Sequence, residues 1–183
     1  KMEYLPLLLK NRFTIQANIL LQEFRLMVFK VSNTEELESA VNQNKLAALI
    51  GLEGGHQIED DLTKLDALYN RGIRYMTLTW NNSTDWATSA YDETFTPDLK
   101  HKGLTDFGKQ IVTKMNQLGM IVDVSHIGEQ TFWDVLNTTT KPIIASHSSV
   151  YALCEHERNL NDEQIKDVDK LLEKLEEDDD VQN

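Results

Sequence analysis

Glu53, His126 and His147 are the residues of this 183-residue chain best suited to do chemistry together. One carboxylate and two imidazoles are a common catalytic zinc set, because these donors suit the ion and three protein ligands leave a position for water. Each stands at the end of an apolar run: Glu53 closes LAALIGLE, His126 closes MIVDVSH and His147 follows PIIAS. A single histidine at such a place is more often structural. Three donors on three runs make coincidence the harder explanation, so these are the expected metal-ligating and catalytic residues. After Glu53 come Gly54 and Gly55, which permit a tight turn close to whatever the carboxylate holds. His56 is expected to point away. Asp123, three residues before His126, is either an outer partner of the ligands or an acceptor for backbone only. Arg158, in the polar stretch HERNL, suits a bidentate pair with a substrate carboxylate, against the plain alternative of a surface arginine.

These residues must be positioned by alternating strands and helices. SNTEELESAVNQN carries cap candidates at Ser32, Asn33 and Thr34, acids in its first turn and Leu37, Ala40 and Val41 on one face, the pattern of a helix. LAALIGLE reads as one strand buried on both faces. DLTKLDALYNRG, LTDFGKQIVTKMNQLG and IGEQTFWDVLNTT read as helices, separated by strands in IRYMTLTW, MIVDVSH and PIIASHSS. Thr105 is the expected cap of the second of these, with Phe107, Ile111, Met115 and Leu118 as its apolar stripe. NDEQIKDVDKLLEKLEED reads as a long amphipathic helix running into an acidic tail at 169–183, and the apolar residues of 1–31 suggest a buried helix and a short extended piece. NNSTDWATSAYDETFTPDLKHKG is an unusually long polar loop, a class of segment that is commonly functional.

Repeated strand–helix units build a parallel sheet, open or closed into a (β/α)8 barrel. Ligands at the C-terminal ends of successive strands favour the barrel, where those ends converge on one mouth. The expected fold is therefore α/β of the (β/α)8 type, in a single domain over 1–183. It is expected to be incomplete, since only four strand–helix units are clear and such barrels usually need about 250 residues.

The composition excludes several classes. A net charge of −12 with no basic patch argues against nucleic acid. Half of that charge falls between Asp167 and Asp180, where eight acids face Lys170 and Lys174, a run that reads as solvated. The 40% hydrophobic content argues against disorder. No apolar run approaches the roughly 20 residues of a transmembrane helix. The single cysteine, Cys154, excludes an internal disulfide and reads as packing.

Four stretches, GLEGGHQIE, RYMTLTWNNSTDWA, GLTDFGKQIVTKMNQLGMIVDVSH and KPIIASHSSVYALCEHERNLNDEQIKDV, resemble the renal (membrane) dipeptidase family of zinc peptidases in order and spacing, over about residues 31–168. The resemblance implies a (β/α)8 barrel that cleaves dipeptides with two zinc ions. It implies that Glu53 bridges the ions, that His126 and His147 hold the second zinc, and that Arg158 binds the substrate's terminal carboxylate. A metal-activated water is the implied nucleophile. Three departures accompany the match. No histidine precedes His56, so the His-x-Asp pair of the family's first zinc is missing. The acid of the last barrel strand has no counterpart. Trp80 stands where many members end TLTH, and it becomes a candidate substrate-binding residue.

The expectation is thus a zinc-dependent dipeptidase retaining one ligand set, with little activity in this partial form. The alternatives are a non-catalytic metal- or peptide-binding relative, with Trp80, Trp86 and Tyr91 serving recognition, or a metal-dependent amidohydrolase acting on another amide. A dipeptide is the expected substrate and a homodimer one expected assembly. The compartment stays open, with the resemblance favouring a periplasmic or extracytoplasmic site over a cytoplasmic one.

Overall fold

The computed structural model describes residues 27–176, in two compact units that divide after Leu49. The helix expected near the N-terminus and the tail beyond Glu176 lie outside the described residues.

In the first unit, β1 (Val28–Lys30), α1 (Thr34–Asn42) and β2 (Leu46–Ala48) form a strand–helix–strand unit. The strands are parallel, with Val28 opposite Leu46 and Lys30 opposite Ala48, and a parallel pair needs the crossover that α1 provides. Of the three cap candidates, Asn33 is the one used. Its side chain accepts the Glu36 N–H at 2.8 Å, and the Glu36 carboxylate accepts the Ser32 N–H at 2.7 Å, so both backbone donors are satisfied at the helix start.

The second unit contains β3 (Ile50–Leu52), α2 (Leu62–Asn70), β4 (Ile73–Thr77), α3 (Ala90–Phe95), α4 (Asp106–Leu118), β5 (Ile121–Asp123), α5 (Glu129–Thr138), β6 (Ile143–Ile144) and α6 (Asp162–Glu176). Its four strands are all parallel in the order β3-β4-β5-β6, which is chain order with a helix after each of the first three. The helices bury one face each: Leu65 from α2, Ile111, Val112 and Met115 from α4, Phe132 and Val135 from α5, against Met76 and Val122 of the sheet. Thr105 caps α4 by accepting the Gly108 N–H at 3.3 Å, and Gly119 ends the helix at φ 71°, a left-handed position that favours glycine. Thr105→Ala is expected to lower stability by about 1 kcal/mol, read as an earlier urea midpoint with an unchanged slope.

Three expectations need correction. LAALIGLE is not one strand: it divides at Leu49 into β2 and β3, which belong to different sheets, and Leu46, Leu49 and Ile50 are exposed rather than covered on both faces. The polar segment after Trp80 is not structureless. It contains α3, bridges to Leu104 and Ile127, and buried Thr84, Thr88 and Ser89 whose hydroxyls bond to backbone. Cys154 is exposed, so it does not pack. No helix among the described residues is long and apolar enough to cross a membrane.

Because all four strands run the same way, their C-terminal ends share one edge. Asp123 sits beside Thr77 of β4 and Ile144 of β6. His126 and His147 therefore lie the same three residues beyond a register pair, and Glu53 follows β3 directly.

Candidate metal centre

The three donors meet at that edge. Glu53 Oε1 lies 3.3 Å from His126 Nε2 and 3.4 Å from His147 Nε2, and the two Nε2 atoms are 2.8 Å apart. A tetrahedral zinc with bonds of 2.0–2.1 Å has ligand–ligand edges of about 3.3 to 3.4 Å. Both carboxylate–imidazole edges match this size and the imidazole pair is tighter, so the three atoms lie close enough together to hold one metal ion. The burial is graded: His126 is 3% exposed, whereas His147 and Glu53 open to solvent at 41% and 57%.

Each donor is held by its own strand end. The turn after Glu53 uses both glycines. Gly54 adopts φ 90° and its N–H donates to the Thr77 hydroxyl at 2.6 Å. At Gly55 a Cβ would lie 2.4 Å from Trp86 Cζ2 and 2.6 Å from the Leu78 carbonyl, so no side chain fits. His126 takes φ 68°, a conformation that costs a non-glycine residue of order 1 kcal/mol. The Thr79 hydroxyl and the Ala90 N–H compensate by donating to its carbonyl at 3.1 and 2.8 Å. Its Nδ1 faces Asn81 Oδ1 at 3.2 Å. Burial holds the His126 imidazole below its ordinary range, the Arg158 and His147 charges push the same way, and Glu53 opposes them. The neutral ring favoured in this way is the form that binds metals.

The other singled-out residues separate into those beside the triad and those away from it. Trp80 stands 6.5 Å from the His126 ring, centroid to centroid, and is 48% exposed. Arg158 Nη2 approaches the His147 carbonyl at 3.5 Å, and its buried Nε has no partner among the described residues. His56 points elsewhere, with Nε2 3.1 Å from the Ser83 carbonyl and 3.0 Å from Asn82 Nδ2. Trp86, a recognition candidate, is 1% exposed and belongs to the core. Asp123 is fully buried and contacts neither imidazole directly; it accepts from the Ser125 and Ser146 N–H groups and meets the Ser146 hydroxyl, which lies 2.7 Å from His147 Nδ1. Asn81, Ser125 and Ser146 escaped sequence reasoning. The available signal was the doublet Ser-His, which occurs at 125–126 and again at 146–147. A cavity of about 250 Å³ opens beside the triad, lined by Glu53, Tyr75, Thr77, Asp123, Ser146 and His147 among others.

Residues 16–171 match the family described as membrane dipeptidase (peptidase family M19). An uncharacterized dipeptidase of Schizosaccharomyces pombe is 42% identical over 125 residues, which are 68% of this chain and 30% of that protein. Among solved structures, an amidohydrolase from Pseudomonas aeruginosa superposes with a TM-score of 0.72 at 28% identity, over 86% of this chain and 46% of that one. A metallo peptidase from Rhodobacter sphaeroides, liganded with a phosphinate mimic of the dipeptide L-Ala-D-Ala, gives a TM-score of 0.70 at 27% identity, over 83% and 44%. The chain thus spans less than half the length of these relatives.

Proposed function

The chain belongs to the membrane dipeptidase family, peptidase family M19, whose α/β barrel fold it shares in part, and we propose that it is built for zinc-dependent hydrolysis of the peptide bond of dipeptides. The observation that carries this reading is the convergence of Glu53, His126 and His147 within 3.4 Å of one another, beside Arg158. Zinc in that setting supplies an electrophile that acidifies water and polarises a carbonyl.

Each residue then has a distinct task. His126 and His147 present their Nε2 atoms as donors, the buried ring fixing the site and the open one leaving an approach for substrate. Glu53 would contribute its Oε1 beside the two imidazoles, on a side chain that is 57% exposed. Arg158 carries a buried Nε without a partner among the described residues, on a guanidinium suited to a substrate carboxylate. Trp80 keeps an exposed apolar ring 6.5 Å from that of His126, suited to meet a substrate side chain.

A second reading is a metal- or peptide-binding relative without turnover, and these 183 residues themselves hold no His-x-Asp pair. Calorimetry with Zn²⁺, followed by dipeptide hydrolysis in its presence, tests both. One ion per chain with little turnover is expected. Absence of zinc binding would remove the metal centre and with it the first reading. Arg158→Lys is expected to weaken dipeptide binding to the zinc-loaded chain by about 10-fold or more, the loss of one charge-assisted hydrogen bond. Unchanged affinity would place the carboxylate elsewhere.

A further inference from the structure

The hydrogen bonds around His147 run in one direction only. Asp123 Oδ1 accepts the N–H groups of Ser125 and Ser146 at 3.0 and 3.1 Å, so this oxygen is committed to two backbone donors. Its Oδ2 meets the Ser146 hydroxyl, which also lies 2.7 Å from His147 Nδ1. A hydroxyl has a single proton to give, and a carboxylate is acceptor-only. The Ser146 proton therefore goes to Asp123, its oxygen must accept, and His147 Nδ1 must carry a hydrogen. That leaves His147 Nε2 as a bare lone pair. At the other ring, the Asn81 amide oxygen requires the same of His126 Nδ1. Two lone pairs and Glu53 Oε1 then face one another within 3.4 Å with no hydrogen among them, an arrangement that a cation resolves.

We infer that Asp123 and Ser146 are positioning residues of the metal centre, with Asp123 setting the tautomer of His147 through the Ser146 hydroxyl. This rests on the metal-centre reading for its purpose, but the tautomer itself is independent of it. The same carboxylate also ties the two histidine-bearing strand ends together, since it holds the backbone at both Ser125 and Ser146, and Ser125 Oγ in turn accepts the His147 N–H at 3.1 Å. Outer partners of this kind typically change metal affinity 10- to 100-fold.

Asp123→Asn makes the inference sharp. Two backbone N–H groups need the amide oxygen, so the amide NH₂ must face Ser146. The hydroxyl then accepts from the amide and donates to His147 Nδ1, which reverses the relay and moves the imidazole hydrogen to Nε2. Proton–nitrogen correlation spectra of the metal-free 183-residue chain, taken at alkaline pH where free imidazoles are neutral, read this directly. The expected result is a protonated His147 Nδ1 in the wild type and a bare one in Asp123→Asn. Titration with Zn²⁺ alone should show affinity falling about 10- to 100-fold in Asp123→Asn and Ser146→Ala, and largely restored in Ser146→Thr, which returns the hydroxyl. Ser146 is exposed, so its variants report even where Asp123→Asn fails to fold. A wild type with hydrogen on Nε2 alone, or a Ser146→Ala chain that binds Zn²⁺ as tightly as Ser146→Thr, would overturn the inference. The expected spectra without zinc binding by any chain would support the relay while refuting the metal centre.

Discussion

Zn²⁺ binding by the His147→Ala chain is expected to be about 100- to 1000-fold weaker than by the wild type. Structural zinc sites are worth roughly 10–16 kcal/mol over four ligands, so one ligand carries about 2.5–4 kcal/mol. His147 is the cleanest of the three donors to remove. It is 41% exposed, whereas His126 is 3% exposed and sits in a left-handed backbone conformation, so its replacement would mix lost ligation with altered folding. His56→Ala provides the matched control, because that ring is committed to Ser83 and Asn82; affinity there should change no more than about 2-fold, the scale of a peripheral surface change. Competition against a chromophoric chelator measures both. Equal affinities for the wild type and His147→Ala would mean that zinc binds away from the triad.

Much of the architecture was legible because it depends on local rules. Asn33, Asp61 and Thr105 announce helices by accepting a nearby N–H, and the stripes that follow them have the helical period. Parallel strands followed from the alternation, and the meeting of Glu53, His126 and His147 at one edge followed from their positions at strand ends. What was hidden depends on partners distant in sequence. Nothing in LAALIGLE tells that Leu49 separates two sheets, since the apolar run is continuous and only the pairing strand differs on each side. The segment containing α3 looked solvated because its threonines and serines are polar, yet they are buried by bonding to backbone carbonyls of other turns. The link from Asp123 through Ser146 to His147 spans two strands and lies outside any periodicity, so the sequence left the partner of Asp123 open.

The division of labour among the tryptophans gives the second large effect, on stability. Trp86→Ala is expected to cost about 3–5 kcal/mol, a large share of the 5–15 kcal/mol typical of a whole domain. The side chain is 1% exposed and packs in the core, where its ring occupies the space that any side chain at Gly55 would take. Its carbonyl also accepts the Thr105 N–H at 3.0 Å, at the start of α4. Losing the ring therefore frees the turn after Glu53 as well as opening a cavity, and zinc affinity should fall with stability. Trp86→Phe isolates the packing. The buried indole N–H has no partner among the described residues, so removing it relieves a desolvation cost that offsets part of the lost area, and a loss under about 1.5 kcal/mol is expected. Trp80→Ala is the counterpart. With 48% of its surface exposed, that ring contributes little to folding, and the urea midpoint should move by less than the equivalent of about 1 kcal/mol, while binding of dipeptides with apolar side chains declines. Urea unfolding of the three variants separates these roles. A Trp80→Ala loss as large as that of Trp86→Ala would show that the Trp80 ring supports the fold instead of facing the opening of the site.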